Sequence, residues 1–474
     1  MLGLNRKLKR LSEEGESIKV AVAGVGQMGK GLISHIRDLE GMDVLVVANR
    51  EITRTLRILI EEVELKKDEI VLVRAINKAN EFPAGNGTSK IPDMEALGKE
   101  LGIEVLVIDE AEKASSLNGK LKDYILRRKI ILTDSLLLLS RIEDVDVVVD
   151  ATGSPEAGAY IAFSAIFNRK HVVSLNVETD VIVGPILKKL ADNQGIVYTV
   201  SAGDEPGALI ELCDFADALG LEVVVAGKGK NNPLDRDANP TTLKEYAESK
   251  GSSAKMMTSF VDGTKSMIEM ACLSNATGLI PDCRGMHGPR ANVRDLVNVF
   301  RLKKDGGILN RTGVVDFAIG DIAPGVFLVY TTEQKFIKKD LKYLQLGEGP
   351  NYLLYRPYHL TSIETPLSIA RAYFYGEPTI APLKGLVSEV ITVAKKDLRE
   401  GEIIDGIGGY TVYGLIELYE IARKENLLPI GLSEGCRLKR NIEKGRPITY
   451  DDVVLRENSM VLQLRRLQER TIFV

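Results

Sequence analysis

The sequence predicts an α/β protein that begins with a parallel β-sheet covered by helices on both faces. Short apolar runs recur from residue 18 to residue 175, with helical patterns between them, as expected for buried parallel strands and their crossover helices. A glycine-rich turn follows the first run. Residues 381–474 differ, because they combine short strands, many glycines and a weak internal repeat. We therefore expect an N-terminal sheet domain, a central α/β domain and a small β-rich module.

The first elements of the sheet form a recognisable unit. Ile18–Ala23 is a β-rich apolar run, Lys30–Leu39 has a helical pattern, and Val44–Val47 is a second apolar run. Strand, turn, helix and strand within about 30 residues form a βαβ unit. We interpret the stretch Asn77–Lys90 as a loop, because it carries proline and glycine turn signals. Further buried strands are predicted at Val71–Ala75, Val105–Ile108, Val145–Val149 and His171–Leu175.

The turn after the first strand has the pattern GxGxxG. Gly24 would allow the tight turn, Gly26 the close approach of a pyrophosphate, and Gly29 close packing of helix on strand. The helix N-terminus would face the phosphates. The alternative is an ordinary glycine-rich turn. The sequence thus predicts a Rossmann domain with cofactor contacts at Gly24, Gly26, Gln27, Met28 and Gly29.

The end of the second strand indicates the type of cofactor. NAD enzymes usually place Asp or Glu there for the ribose hydroxyls. This chain has Asn49 and Arg50 instead, with Arg54 one turn further on. Guanidinium groups suit a 2′-phosphate, so we predict NADPH as the cofactor. The alternative is that Arg50 and Arg54 form a solvated surface.

Two later strand ends predict contacts to the nicotinamide half of the cofactor. Thr152 and Gly153 follow the strand Val145–Val149 in a turn of small residues. Asn176 ends the next strand in the same register. In open parallel sheets, ligands bind at the carboxyl ends of strands. We therefore expect these three residues to line the cofactor site.

Three polar clusters then follow predicted strands and are candidates for catalysis. The first contains Glu178, the second Asp204 and Glu205, and the third lies after the strand Glu222–Ala226. Because each cluster follows a strand, we expect them to converge at one edge of a sheet. The third cluster is Gly227-Lys228-Gly229-Lys230-Asn231-Asn232.

Lys228 and Lys230 are the most informative pair in these clusters. Alternating with glycine, both could approach a phosphate or an enolate oxygen, and a lysine near a carbonyl can donate a proton during hydride transfer. Asn231 could orient substrate hydroxyls. The alternative is a solvated turn with two surface lysines.

The acidic residues are candidate acid–base groups or ligands of a divalent metal ion: Glu178, Asp180, Asp204 and Glu205. Asp204 or Glu205 could equally cap the helix that begins near Pro206. Lys265 is a further catalytic candidate, and its alternative is an i,i+4 salt bridge with Glu269. We interpret His359 as structural.

The last part of the chain contains a duplicated unit. Leu398–Asp405 aligns with Ile442–Thr449, and basic residues precede each copy. The duplication predicts a small pseudo-symmetric β module. With 474 residues, and roughly 100–200 per domain, we place the boundaries at 1–205, 206–380 and 381–474. A helix at 362–375 is expected to complete the first domain.

Composition excludes several classes of function. The net charge of −4, from 62 basic and 66 acidic residues, and the absence of a basic block argue against nucleic acid. No apolar run reaches 18 residues, which argues against a membrane span. The four cysteines are far apart and form no zinc or disulfide pattern. We therefore expect a cytoplasmic protein. We also expect a small-molecule substrate, and an anionic one if it contacts Lys228 and Lys230.

These motifs resemble the homoserine dehydrogenase-like oxidoreductases with a C-terminal SAF domain. That group includes the deoxyxylulose phosphate reductoisomerase-like (DRL-type) enzymes of isoprenoid synthesis. The resemblance covers nearly the whole chain. It rests on Gly24–Gly29, Asp150–Gly153, Leu175–Asp180, Gly203–Gly207, Gly227–Asn232 and the C-terminal repeat.

The resemblance implies an NADPH-binding Rossmann domain, a central α/β catalytic domain that oligomerises, and a β-clip SAF-like domain. It implies a reductoisomerase that rearranges a ketose phosphate and then reduces the resulting aldehyde. Lys228 and Lys230 would hold the phosphate or polarise the carbonyl, and Glu178, Asp204 or Glu205 would move protons or bind a divalent ion. Two alternatives remain: a homoserine or other semialdehyde or hydroxy-acid dehydrogenase, and a non-catalytic NADP-binding sensor of sugar acids. Homoserine dehydrogenases carry Asn-Lys where this chain has Asn176-Val177.

Overall fold

The computed structural model describes residues 3–76 and 93–472, so the predicted loop at Asn77–Lys90 lies outside the described residues. The chain forms two compact units. The first unit comprises Met1–Asn176, Leu187–Ala202 and Thr361–Thr379. The second unit comprises Val177–Ile186, Gly203–Leu360 and Ile380–Val474. None of the helices in the described part of the chain is long and apolar enough to cross a membrane.

The strands and helices alternate through the first unit and are more irregular in the second. The strands are β1 Ile18–Ala23, β2 Met42–Ala48, β3 Ile70–Ile76, β4 Glu104–Asp109, β5 Ile130–Thr133, β6 Val147–Asp150, β7 His171–Ser174, β8 Tyr198–Val200, β9 Glu222–Lys230, β10 Ile280–Pro281, β11 Val314–Ile319, β12 Val326–Thr331, β13 Asn351–Arg356, β14 Ser388–Ala394, β15 Val412–Leu418, β16 Arg437–Leu438 and β17 Val453–Val454. The α-helices are α1 Leu4–Glu13, α2 Gln27–Arg37, α3 Ile52–Glu61, α4 Met94–Leu101, α5 Ala114–Leu126, α6 Leu138–Arg141, α7 Pro155–Phe167, α8 Val177–Gln194, α9 Glu205–Ala218, α10 Lys244–Ser249, α11 Ala254–Val261, α12 Thr264–Thr277, α13 Leu296–Val299, α14 Lys335–Tyr343, α15 Thr365–Tyr375, α16 Tyr419–Lys424, α17 Ile430–Ser433 and α18 Met460–Ile472.

The first unit is built on a parallel sheet of eight strands in the order β4-β3-β5-β2-β1-β6-β7-β8. β1 lies between β2 and β6, so the direction of winding reverses beside it. In doubly wound sheets, dinucleotides bind at this reversal, at the carboxyl ends of the strands. The predicted fold class, with an N-terminal Rossmann-like sheet, is confirmed. The sequence analysis did not assign β5, because Thr133 ends its short apolar run.

Helix α15 belongs to the first unit, although it lies far along the chain. Ile369 and Ala370 of this helix are buried in the same apolar core as strands β1 and β2. Ser368 accepts a hydrogen bond from the backbone N–H of Ala202 at 2.9 Å. Helix α15, which spans Thr365–Tyr375, thus packs on the core of the first unit.

The second unit contains a mixed sheet in the order β10-β11-β9-β12-β13. β9 pairs in parallel with β11 and antiparallel with β12, so it is held on both sides. The prediction that this strand ends at Ala226 was wrong, because β9 continues to Lys230. The glycines permit the extension: a Cβ on Gly227 would lie 2.5 Å from the ring of Phe327, and one on Gly229 would lie 2.3 Å from the backbone nitrogen of Ala323.

The duplicated unit near the C-terminus pairs with itself. Leu398 and Ile442 exchange both backbone hydrogen bonds, at 2.8 and 2.9 Å. The N–H of Gly401 donates to the carbonyl of Leu438, and the N–H of Gly445, its counterpart in the second copy, donates to the carbonyl of Ala394. These two bonds are equivalent under exchange of the copies. The segment is therefore pseudo-symmetric at the level of backbone hydrogen bonding, as the repeat predicts.

Candidate functional site

The glycine turn after β1 has the shape that a dinucleotide requires. Gly24 has a φ of +88°, and a Cβ there would lie 2.8 Å from the carbonyl oxygen of Ala151. A Cβ on Gly29 would lie 1.9 Å from the carbonyl oxygen of Gly24, so the helix packs closely on the turn. Gly26 caps α2 and has open space around it, which leaves room for a pyrophosphate at the helix N-terminus. Gln27 and Met28 begin that helix.

The residues after β2 are fixed by local hydrogen bonds. The Asn49 side chain donates to Thr55 Oγ1 at 2.8 Å and accepts from the backbone N–H of Arg50 at 2.8 Å. Arg50 and Arg54 are exposed, and Arg54 lies 3.1 Å from the carboxylate of Glu51. An exposed ion pair of this kind is weak. Both arginines therefore lie at the surface just after the end of β2.

A compact network closes the turn after β6. Thr152 donates to Asp150 Oδ1 at 2.7 Å. The buried Asn176 amide donates to Asp150 Oδ2 and to the carbonyl of Ser154, both at 2.9 Å. Gly153 has a φ of +65°, which favours glycine at this position. Asn176 thus holds the turn in shape, and Thr152 and Gly153 present the backbone.

In the second unit, Lys228 and Lys230 lie inside β9 rather than in a loop. Side chains two residues apart in a strand point to the same face, so the two lysines share one face of the sheet. Both are buried, at 6% and 4% exposure. The interpretation of this run as a solvated turn is excluded by that burial.

Lys228 is the centre of a buried cluster of charges. Its ammonium group donates to the carboxylates of Glu205 and Glu269. Glu205 is the first residue of α9, and Glu269 lies in the second turn of α12. α12 is buried along almost its whole length, so Glu269 has only 1% exposure. Two helices and one strand therefore bring these three groups together.

A second lysine adjoins this cluster. Lys265 donates to Glu178 Oε1 at 2.8 Å, and Glu178 lies in the first turn of α8. The alternative of a simple salt bridge from Lys265 to Glu269 was wrong. Lys265 pairs with Glu178 of α8, whereas Glu269 pairs with Lys228 of β9. The polar cluster with Glu178 follows β7, as predicted, and it forms the first turn of α8, which begins at Val177.

Asp204 lies at the position before α9, but its side chain makes no capping hydrogen bond. Burial raises the pKa of Asp204 well above its usual value, against the attraction of Lys265. The neighbouring carboxylates add to this effect. Asp204 is therefore a member of the charge cluster rather than a helix cap.

The groups of the cluster differ in the direction of their pKa shifts. Burial alone would raise the pKa of Glu205, but Lys228 and His359 outweigh it and hold that pKa well below its usual value. Burial, and after it the charge of Glu205, raise the pKa of Glu269 to about 7. Burial would lower the pKa of Lys228, but the two carboxylates outweigh it and raise that pKa. These shifts favour the charged form of Lys228 and bring the pKa of Glu269 toward neutral pH.

Lys230 differs from Lys228. Its ammonium donates to the carbonyl of Phe260 and pairs with no carboxylate among the described residues. Burial, and after it the repulsion of Lys228, lower the pKa of Lys230 to about 8. Asn231, the next residue, is exposed beyond the end of β9. The structure therefore places Lys230 in the cluster and Asn231 at its rim.

Sequence reasoning missed two members of the site. His359 donates from Nδ1 to the carbonyl of Pro324 at 2.7 Å and places Nε2 3.7 Å from Glu205 Oε1, so the interpretation of His359 as merely structural was incomplete. Glu269 was considered only as a partner of Lys265. A signal for His359 was its place just after β13, and a signal for Glu269 was a carboxylate between the apolar residues Ile268 and Met270.

Three carboxylates of the cluster have the composition of a divalent-metal site. Asp204, Glu205 and Glu269 offer oxygens that lie within 4.8 Å of one another. Lys228 already donates to two of the three. A cation at the same place would have to displace the ammonium, so the residues do not fit a divalent ion while Lys228 is present.

Residues 203–365 match the family model of the catalytic domain of oxidoreductase DRL. The matched segment contains Asp204, Glu205, Lys228, Lys230, Lys265, Glu269 and His359. The chain therefore carries an oxidoreductase catalytic domain, and the prediction of an enzyme of that class is confirmed. No curated protein matches the sequence.

Several solved structures are similar to this chain at low identity. One is DOX-P reductoisomerase in complex with NADPH, fosmidomycin and magnesium, with 14% identity, a TM-score of 0.39, and coverage of 75% of this chain and 70% of the other. The Zymomonas mobilis 1-deoxy-D-xylulose 5-phosphate reductoisomerase in complex with NADPH has 18% identity, a TM-score of 0.31, and coverage of 54% and 57%. An NAD-binding oxidoreductase from Klebsiella pneumoniae has 15% identity, a TM-score of 0.25, and coverage of 47% and 45%. At these values the likeness does not bear on reaction or ligand.

Proposed function

We propose that this protein is an NADPH-dependent reductoisomerase that converts deoxyxylulose phosphate to methylerythritol phosphate in isoprenoid synthesis. The observation that carries the proposal is the buried cluster of Lys228, Glu205 and Glu269, with Lys230 on the same face of β9. This cluster lies within the segment that matches an oxidoreductase catalytic domain. The sequence-based expectations of a cytoplasmic homo-oligomer with a C-terminal SAF-like domain remain predictions.

The proposed reaction needs groups that move protons and stabilise oxyanions. In the rearrangement, a hydroxyl loses its proton and becomes a carbonyl, a carbon–carbon bond migrates, and the original carbonyl oxygen gains a proton. In the reduction, the new aldehyde carbon gains a hydride and its oxygen gains a proton. The first step is redox-neutral, and only the second needs a reductant.

The residues divide these tasks by their charge. Lys228 remains positive and is held by two carboxylates, so it would stabilise negative charge on a substrate oxygen. Glu269 would accept the hydroxyl proton, because its pKa is raised to about 7. Lys230 would donate a proton to the oxygen of the reduced carbon. Glu178 Oε2 is buried and has no hydrogen-bond partner among the described residues, so it would accept from a substrate hydroxyl.

The first unit would hold the cofactor. The turn Gly24–Gly29 and the N-terminus of α2 would bind the pyrophosphate, and Thr152 and Gly153 would contact the nicotinamide ribose. Bound NADPH would supply the hydride. Arg50 and Arg54 would bind the 2′-phosphate as charge-assisted hydrogen-bond donors.

The deciding experiment follows NADPH oxidation by absorbance with purified deoxyxylulose phosphate, and identifies the product by mass spectrometry. We expect oxidation that depends on the substrate and yields methylerythritol phosphate. NADPH binding without oxidation would contradict the substrate. Homoserine, semialdehydes and sugar acids would then be assayed in the same way, and failure with all of them would favour the sensor.

Cofactor preference is a direct test of Arg50 and Arg54. In the variant Arg50→Ala/Arg54→Ala we expect the KM for NADPH to rise about 10- to 100-fold, because charge-assisted hydrogen bonds to the phosphate are lost. The KM for NADH should stay nearly constant, since NADH lacks that phosphate. Arg57→Ala is the matched control, because Arg57 is another exposed arginine of α3. An equal effect on both cofactors would contradict the assignment.

The pH profile is a test of Lys230. Burial is the largest effect on the pKa of Lys230 and lowers it. Repulsion by Lys228 and Arg236 lowers this pKa further, and attraction by Glu269 and Asp262 opposes them. The resulting pKa is about 8. Only the protonated lysine can donate, so the rate of NADPH oxidation should fall as the pH rises through about 8. In Lys230→Arg the side chain stays protonated, so this alkaline decrease should disappear. An unchanged alkaline decrease in Lys230→Arg would exclude Lys230 as the proton donor.

A further inference from the structure

We infer that the ammonium group of Lys228 takes the place of a divalent cation among Asp204, Glu205 and Glu269, so that the reaction proceeds without a metal ion. The inference deepens the proposed function and rests on it for the reaction, since it names the cation that serves the site. The contacts of Lys228 with the carboxylate cluster do not depend on which reaction the protein catalyses.

The first argument is the position of the ammonium. The three carboxylates offer oxygens within 4.8 Å of one another, a spacing that would suit ligands of one hard cation. Lys228 Nζ donates into this space, to Glu205 and to Glu269. An ammonium group has three donors on a compact charge, so it can satisfy several carboxylates at once.

Lys228 is also confined within the cluster. Its side chain is only 7% exposed, and β9 is hydrogen-bonded to β11 on one side and β12 on the other. The adjacent Gly227 is packed against Phe327, and Gly229 is packed against the backbone of Ala323. β9 therefore cannot shift toward the face of the sheet on which these contacts lie. A metal ion would therefore meet a buried ammonium that two carboxylates already hold.

The third argument is the balance of charge. Lys228 neutralises one carboxylate, and Lys265 brings a second positive charge to the same cluster through Glu178. His359 Nε2 lies 3.7 Å from Glu205 Oε1. A divalent ion added to these groups would meet a net charge already near neutral. Magnesium in particular demands near-octahedral oxygen ligands and retains its waters, which this buried space does not accommodate beside an ammonium.

Removal of the ammonium should create a metal site. Lys228→Met keeps a long unbranched side chain but removes the charge, and it leaves the three carboxylates with no cation between them. We expect the variant to bind Mn²⁺ at least about tenfold more tightly than the wild-type protein. The further change Glu269→Gln should abolish that gain, because one of the three ligands loses its charge.

The experiment titrates the full-length wild-type protein, Lys228→Met and Lys228→Met/Glu269→Gln with Mn²⁺ and measures free Mn²⁺ by electron paramagnetic resonance. Lys255→Met is the matched control, because it removes a lysine from an exposed ion pair with Glu434. Wild-type protein and control should show only weak, equal binding. Circular dichroism checks that each variant is folded, and Lys228→Gln replaces Lys228→Met if the latter is not.

Either of two binding results would overturn the inference: tight Mn²⁺ binding by the wild-type protein that Glu269→Gln removes, or no gain in binding by folded variants that lack Lys228. If the wild-type protein oxidises NADPH with a substrate, we expect the same rate after exhaustive treatment with EDTA. Loss of that rate with recovery on addition of Mg²⁺ would also overturn it. Because Mn²⁺ binding is measured without substrate, a wrong substrate would leave this test unaffected.

Discussion

Replacing Lys228 with methionine should lower kcat by about 100- to 1,000-fold, because it removes the positive charge that stabilises the substrate oxyanion in the proposed mechanism. The side chain is buried between Glu205 and Glu269, so bulk water cannot readily substitute for it. NADPH binding should be unchanged, since the predicted cofactor residues belong to the other unit. Steady-state kinetics and NADPH fluorescence titration together measure the two effects.

A control separates this loss of activity from loss of the fold. Lys228→Met leaves two carboxylates without their partner, and a buried charge without a partner destabilises a protein. The double variant Lys228→Met/Glu269→Gln removes one of those charges and should recover part of the thermal stability but none of the activity. A folded Lys228→Met protein with kcat within tenfold of wild type would contradict the catalytic role of Lys228.

The variant Lys395→Met should lower the free energy of unfolding by about 3–5 kcal/mol, the effect of removing one member of a buried ion pair. Lys395 Nζ donates to Asp262 Oδ2 at 2.8 Å and to the carbonyls of Ala238 and Gly409. Both side chains of the pair are at most 3% exposed. Chemical denaturation measures the change.

The adjacent lysine provides a matched control for this prediction. Lys396 pairs with Glu402 at 2.7 Å, but it is 51% exposed, so Lys396→Met should change the free energy of unfolding by no more than about 1 kcal/mol. Equal effects of the two substitutions would show that the buried pair contributes no more to the free energy of unfolding than the exposed pair.

Lys395→Met should also reduce turnover. Asp262 Oδ1 accepts the backbone N–H of Thr264, the first residue of α12, and α12 carries Lys265 and Glu269. Lys395 thus connects the C-terminal segment to α12 through Asp262, and we propose that it positions the candidate catalytic residues of that helix. We expect kcat to fall while the KM for NADPH stays constant, and a change confined to stability would contradict the positioning role.

Several features followed from local sequence alone. Strand β1 and the turn Gly24–Gly29 were predicted because apolar periodicity and glycine spacing depend on neighbouring residues. The C-terminal repeat predicted a pseudo-symmetric module because each copy carries the same glycine, at Gly401 and Gly445.

Other features depended on contacts between distant residues. β9 extends to Lys230 because Phe327 and Ala323 pack against its glycines. From the local sequence alone, these glycines had indicated a turn. β5 was missed because a strand of four residues is stabilised by its neighbours β2 and β3 and not by its own pattern.

By itself, the sequence determined which residue types the site contains: two lysines alternating with glycines, and carboxylates after the predicted strands. Only the tertiary structure decided which of them meet. It paired Lys228 with Glu205 and Glu269, paired Lys265 with Glu178, and brought His359 to the same carboxylate cluster. The physical reason is that burial and charge act through space, so the partner of a lysine, and with it the pKa, is set by the packing of helices and strands that are distant in sequence.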